Sequence, residues 1–496
     1  MSIDTHVSTH EPGGWLALSA RELLTLVLLF ALTLPAVTPR IYASDEIQYF
    51  SYLRSLWFDR DVSFENEYQY FFERNIGRGE GFHATFLELY TEAGRRPSFA
   101  TIGSAILWSP FYVIGDIAAR VSGAPVDGFS RPYIAAVAYG SAFYGFVAIV
   151  LSMNLARRLV GRGVLAGLLI WFGTPLLFYM YVSPPFSHAC SAFAVALFVT
   201  VWLRVRESWS VPGAIALGLS GALMAMVREQ DAVLIVGPVL DFALCVLRGG
   251  SVGSYQSRAH SRSAGGAAET TTGNNHRQPA TLQPARALFI AATGCITFVA
   301  GMLPQLLAYK ALNGHYGPSS LVIRKMSWTS PHALGVIASP GHGFFIWTPI
   351  AAIAILGLVV LALRGTAQAR RIAICALAMV ALQIYVSGSV ESWPVAGAFG
   401  QRRFVALTVL LTLGLAAMLQ FVHARVPRAL TLVVLALCVW WNVALIAAFG
   451  TGLMDRKRLE PGKNAYVAFV TLPKMIPDLA YRYVFDRASF YRQRPQ

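Results

Sequence analysis

Trp15–Val37 reads WLALSARELLTLVLLFALTLPAV, and this stretch decides the fold. Its apolar part is as long as a helix needs to be to cross a bilayer, about 20 residues. The run closes on Thr38-Pro39-Arg40, and Tyr42-Ala43-Ser44-Asp45-Glu46-Ile47-Gln48-Tyr49 follows. Two adjacent carboxylates therefore stand at the mouth of a first membrane helix. A polar loop rich in aromatic residues and arginine comes next. The apolar run is too long for a cleaved signal core, and nothing basic precedes Arg21, so it reads as an uncleaved first span.

The rest of the chain repeats the pattern. Of 496 residues, 55% are hydrophobic and 13% charged, about half the charged fraction of a soluble domain. Bilayer-length apolar blocks fall at 17–38, 101–119, 132–156, 163–181, 188–204, 211–227, 232–248, 287–309, 343–363, 372–388, 404–422 and 429–449. The expected fold is all-α: a polytopic transmembrane helix bundle of about 11–12 hydrophobic helices, with interfacial helices in the first external loop.

The net charge is +15, and only five of the 40 basic residues are lysines, at 310, 325, 457, 463 and 474. No basic stripe argues for nucleic acid. Arginines on a non-cytoplasmic face would suit phosphate or carboxylate groups. The five cysteines lie inside apolar segments without a C-x-x-C pair, so neither a disulfide framework nor a zinc site is expected.

The connections fall into two sets. Arg157–Arg162, Arg204–Arg206, Arg364–Arg371 and His423–Arg428 are short and basic, as cytoplasmic turns are. Residues 249–286 form a Gly/Ser/Thr-rich linker, read as flexible and cytoplasmic. It separates an N-terminal membrane half, 1–248, with an external loop at 39–100, from a C-terminal half, 287–449. A tail at 450–496 reads as external and interfacial. If every block crossed, the Asp45-Glu46 loop would fall among the basic turns. Segment 101–119, which contains Pro110, is therefore expected not to cross, leaving about eleven spans with the acidic loop on the outer face. Ile47, Phe50, Leu53 and Trp57 recur at helical spacing, so Asp45–Asp59 reads as a surface helix lying in the headgroups.

Five clusters fall on that outer face. Asp45-Glu46 is either the acidic first turn of a helix capped by Ser44 or a general base or metal ligand. Arg95-Arg96-Pro97 ends the loop, either snorkelling to lipid phosphates or clamping a substrate phosphate. His188 follows a possible cap, Ser187, and is either a satisfied interfacial residue or a phosphate or metal partner. Arg228-Glu229-Gln230-Asp231 is either a self-neutralising turn or a functional site. Gly397, Gly400, Gln401, Arg402 and Arg403 precede a helix start, where paired arginines either mark a membrane boundary or grip a phosphate. His342, framed by glycines, is similarly open.

The series Asp45-Glu46-Ile47-Gln48-Tyr49, Arg54, Arg96-Pro97 and Arg157-Arg158-Leu159-Val160-Gly161-Arg162 resembles the GT-C superfamily of integral-membrane glycosyltransferases. The likeness is to the protein O-mannosyltransferase and aminoarabinose lipid A transferase branch, and it covers roughly residues 17 to 240. Two departures stand out. The basic-Pro-Pro triplet is Arg96-Pro97-Ser98 here, and the large external soluble domain of some relatives is absent. The resemblance implies inverting sugar transfer from a polyprenyl-phosphate donor to a lipid, glycan or protein acceptor, at the external face of a bacterial inner membrane. Asp45 is then the base or metal-orienting acid, supported by Glu46. Arg96, Arg402 and Arg403 are the first candidates for the phosphate, with His188 and Arg228 behind them. A divalent metal on Asp45 and Glu46 is compatible with this but not required. The competing readings are a transporter or flippase for a lipid-linked sugar, and a glycan ligase or polymerase.

Overall fold

The computed structural model describes residues 17–77, 81–247, 283–395 and 397–490. Helices follow the hydropathy blocks closely, and among the described residues no strand forms beyond a single bridge between Met326 and Val390. The helices are α1 (Ala20–Thr33), α2 (Ser44–Arg54), α3 (Glu65–Glu73), α4 (Gly103–Ser122), α5 (Arg131–Val160), α6 (Val164–Gly173), α7 (Leu176–Tyr181), α8 (His188–Val205) and α9 (Val211–Val227). They continue with α10 (Val236–Leu247), α11 (Pro284–Gly301), α12 (Leu303–Asn313), α13 (Pro349–Arg364), α14 (Ala367–Ser389), α15 (Thr408–Val422), α16 (Arg428–Thr451) and α17 (Leu472–Phe485). Most of the expected linker lies outside the described residues. Its end is corrected: α11 already begins at Pro284, with proline in the first turn where a missing N–H costs nothing.

Among the described residues seven helices are long and apolar enough to cross a membrane, and three shorter apolar ones, α6, α9 and α13, run alongside them. With α1 they run between two ends of one bundle. One end is basic. There Arg157 pairs with Glu22 and Arg162 donates to Gln420 at 2.6 Å. Deep in the same end Asp241, fully buried, takes Arg206 at 2.8 Å and also Arg371, clasping α8, α10 and α14. The other end carries α2, α3 and the starts of α8 and α15.

Helix α4 begins and finishes at this second end. Just before it, Phe99 N–H donates to Gln48 of α2; just after it, the carbonyl of Asp127 accepts from Arg54, at the other end of α2. A segment whose two ends are tied to one short helix does not traverse the bundle, as parity requires. Its partner explains how this is possible. Helix α5 has 30 residues, about 45 Å at 1.5 Å per residue, well beyond a ~30 Å hydrocarbon layer. The overhang supports α4 antiparallel to it: Tyr133 donates to Asp116 at 2.5 Å and Trp108 to Ser141 at 2.8 Å.

The apolar stripe of α2 does not lie on lipid. Ile47, Phe50 and Leu53 are buried, with Phe50 edge-on to Phe71 and Tyr112. Tyr68 and Phe71 of α3 are equally buried. The loop therefore has a small aromatic core of its own, and among the apolar residues it exposes are Leu56, Trp57, Leu89 and Tyr90. Close helix packing elsewhere depends on small residues. A Cβ on Gly414 of α15 would stand 2.1 Å from the carbonyl oxygen of Ala354 on α13, so only glycine fits there.

Candidate functional site

Glu46 organises the start of α2. Its carboxylate accepts from the backbone N–H of Tyr42 (2.8 Å) and Ala43 (3.0 Å) and from the Ser183 hydroxyl (3.0 Å), which also meets Tyr42 Oη. The cap of this helix is thus Glu46 reaching back from its third position, not Ser44. Both oxygens are engaged in a fully buried setting, so Glu46 positions Asp45 and the loop; it is not free to take part in chemistry.

Burial pushes the Glu46 carboxyl up from 4.5 to about 7, against the pull of its three donors. A folded-state value above the unfolded one means that the folded protein favours the protonated acid. Its stabilising effect is complete below the unfolded value and is lost as pH rises through about 7. Thermal stability of the wild type is expected to fall between about pH 5 and about pH 8, and Glu46→Gln to flatten that slope. Equal slopes in the two proteins would assign the dependence to another group.

Asp45, one residue before Glu46, faces outward from the helix and pairs with Arg402 at 2.6 Å. Both remain accessible, with side chains 37% and 22% exposed. Arg402 also lies over the ring of Phe186, 5.4 Å from its centroid. Gly400 sets up this approach: its φ of +61° and a would-be Cβ contact of 2.9 Å with Pro175 both demand glycine. His342 resolves as a pin for the same loop. Its Nε2 meets the carbonyl of Ala398 at 3.0 Å, its ring stacks on Trp347, and its own carbonyl accepts from Gln401. Burial holds this imidazole down at about 4, so it stays neutral.

Arg228 makes no ion-pair contact within its own turn, although Asp231 lies within its electrostatic range. Its guanidinium donates to Ser187 Oγ (3.0 Å), to His188 Nδ1 (3.2 Å) and to Gln230 (3.2 Å), while Asp231 turns away to accept from Ser191 at 2.6 Å. Ser187 therefore serves Arg228 and makes no side-chain cap on α8. Arginine can only donate, so His188 Nδ1 accepts and the ring proton sits on Nε2. That Nε2–H is buried with no acceptor, and Arg228 Nε is likewise unpartnered.

Arg403 is 8% exposed and donates only to the carbonyl (3.2 Å) and hydroxyl (3.1 Å) of Ser392. Its own carbonyl accepts from Gln230 and Gln383, which ties the two arginine-bearing segments together. Arg403 lies within electrostatic range of Arg402, Arg228 and Asp45. Tyr49, one turn along α2 from Asp45, brings its hydroxyl beside Ser187 and Arg228.

Asp45, His188, Arg228, Arg402 and Arg403 thus converge. Arg96 does not join them. It pairs with Glu65 at 2.6 Å and stacks over Tyr90 on the far side of the loop, where it closes the loop on itself. Sequence reasoning missed Tyr49 and Ser187 as lining residues. The spacing of Tyr49 four residues after Asp45, on one helical face, was the available signal. The site also does not fit a divalent metal: Glu46 has no free oxygen for one, Asp45 faces a guanidinium, and among the described residues no three His, Cys, Asp or Glu side chains group together. No family model matches this chain, and no curated protein does.

Proposed function

We propose that the protein is a membrane glycosyltransferase that moves a sugar from a polyprenyl-phosphate donor to an acceptor hydroxyl, with inversion, at the external face of a bacterial inner membrane. The observation that carries this reading is the pair Arg228 and Arg403. Both guanidiniums have only neutral hydrogen-bond partners. Holding buried cations without a direct carboxylate contact costs several kcal/mol, and the three arginines outnumber the two carboxylates within their electrostatic range, Asp45 and Asp231, so the cluster suits an added anion. A lipid phosphate is an anion delivered at the depth where these residues sit. The basic turns of the opposite end are those expected on the cytoplasmic side, which supports an external position for this cluster.

The chemistry follows from the groups present. The acceptor oxygen attacks the anomeric carbon while the bond from that carbon to the phosphate oxygen breaks, and the leaving phosphate keeps the electron pair. Arg228, Arg402 and Arg403 stabilise the charge gained there, and the His188 Nε2–H supplies a neutral donor. The acceptor proton passes to Asp45. Arg402 is shared: it holds Asp45 in the free protein, and a bound phosphate competes for it, releasing the carboxylate to act as base. The acceptor is a lipid, glycan or protein hydroxyl, and membrane lipids surround the site.

A transfer assay with purified protein and a panel of polyprenyl-phosphate sugars tests the reading. Release of polyprenyl phosphate coupled to glycosylated product is the expected result. No turnover with any donor, together with movement of labelled lipid-linked sugar across liposomes, would establish the transporter reading instead. Transfer of whole glycans only would point to a ligase.

A further inference from the structure

Beyond α16 the chain turns back onto the bundle. Pro461–Tyr466 is helical, the helix widens into a π turn over Val467–Thr471, and α17 follows without a break. The π turn lies against α16: the carbonyl of Ala468 accepts from the Trp440 indole at 3.1 Å, and Phe469 stacks on Trp441. Trp441 is about 15 Å, at 1.5 Å per residue, from the end of α16 at Thr451. At the other end of the segment Arg487 donates to the carbonyls of Pro35 and Ala36 and, at 3.1 Å, to the hydroxyl of Thr38. Those residues form the mouth of α1, in the chain that leads to Asp45. The segment therefore runs sideways from α16 to α1, at the end of the bundle that carries the site. Helix α17 has 14 residues, about 21 Å, too short to cross a ~30 Å hydrocarbon layer.

The exposure pattern shows what meets its outer side. The first half of α16 exposes Leu430, Leu432, Val433, Val434 and Leu437, as a lipid-facing span does. From Cys438 to Phe449 every residue is at least partly covered. The returning segment has taken the place of lipid there, and its own outer side resumes the apolar surface. Phe469, Ile476 and Tyr483 are exposed at a spacing of two helical turns, on one face. Lys474 and Asp478 are exposed on the opposite face. Pro477 lies inside α17 and cannot donate to the carbonyl of Pro473. A carbonyl freed in this way needs water, which the headgroup layer supplies and hydrocarbon does not. We infer that residues 461–487 lie in the leaflet at the site's end of the bundle, with Phe469, Ile476 and Tyr483 among the acyl chains and Lys474 at the lipid phosphates. Through Arg487 this strap fastens the mouth of α1 to a helix embedded in lipid. The inference does not rest on the glycosyltransferase reading.

The test uses full-length protein in nanodiscs, with bimane on Ile476→Cys, Tyr483→Cys or Lys474→Cys. Cys245→Ala and Cys295→Ala remove the native cysteines that are not buried. The three labelled positions are exposed, so each variant is expected to melt as the wild type does. Ala480→Cys, exposed on the same face as Ile476, repeats the measurement should a substitution disturb folding. Lipids brominated along their acyl chains are expected to quench the labels at 476 and 483 and to spare the label at 474. Iodide in the buffer is expected to quench at 474 alone. Iodide quenching at 476 and 483 equal to that at 474 would place the face in water and overturn the inference. Shielding of 476 and 483 from both quenchers would overturn it too, because protein, a second copy included, would then cover the face.

Discussion

Asp45→Asn is expected to lower the rate of sugar transfer by about a hundredfold to ten-thousandfold, the range that a positioned general base supplies, while donor binding is kept or tightened. The amide preserves the size and the acceptor oxygen of the side chain but cannot take a proton. It also abolishes the ion pair with Arg402, the one contact that the donor phosphate must displace. Single-turnover rates and donor affinity, measured together, check this. Loss of affinity in step with rate would make Asp45 a positioning residue. An unimpaired variant would remove it from the chemistry, and Glu46, held by three donors, would not replace it.

Helix positions were legible because the hydropathy of a bilayer span is a strong, local signal. The block 132–156 became Arg131–Val160, and the blocks 188–204 and 211–227 were recovered almost to the residue. Charge parity led to the expectation that the block 101–119 does not cross, and both flanks of α4 are tied to α2. The partners of apolar faces were less legible. The stripe Ile47–Phe50–Leu53 was visible, but an apolar face looks the same whether it meets lipid or protein, and here it meets Phe71, Tyr112 and Phe129. The same limit applied to the site. Asp45, Arg228, Arg402 and Arg403 were each recognisable as charges in costly places, whereas the Asp45–Arg402 contact and the exclusion of Arg96 arise only from long-range packing.

Local sequence misled in one further respect. Arg228-Glu229-Gln230-Asp231 carries one positive and two negative charges, and such a turn could satisfy itself. The backbone from Glu229 to Ile235 instead winds as a tight 3-10 turn that points successive side chains in different directions. Arg228 reaches Ser187, and Asp231 goes to Ser191. Both contacts fall at the start of α8, and Gln230 also bonds the carbonyl of Arg403. Arg228 keeps Asp231 within electrostatic range but bonds no carboxylate, and Arg403 bonds only Ser392, so the packed bundle bears the cost of both cations.

That cost gives the sharpest separation between a structural and a functional arginine. Arg403→Met is expected to raise the thermal stability of the ligand-free protein and, in the same variant, to weaken donor binding by a hundredfold or more. Methionine has a similar volume and fills the space without a cavity, and replacing buried ionic groups by well-packed apolar ones is neutral or stabilising by about 1–4 kcal/mol. Ser392 loses its partner, but its oxygens sit in a partly exposed turn where water can replace the guanidinium. A structural arginine would behave the other way: its removal would lower the melting temperature and spoil binding only through unfolding. The two signs are opposite, so a melting curve with and without farnesyl phosphate decides between them. The wild type should be stabilised by the ligand as RT ln(1 + [L]/Kd) requires, whereas Arg403→Met should start higher and gain almost nothing. A variant that starts lower and still gains the full increment would mean that Arg403 holds the loop 392–403 in place, and that Arg228 and Arg402 bind the phosphate without it.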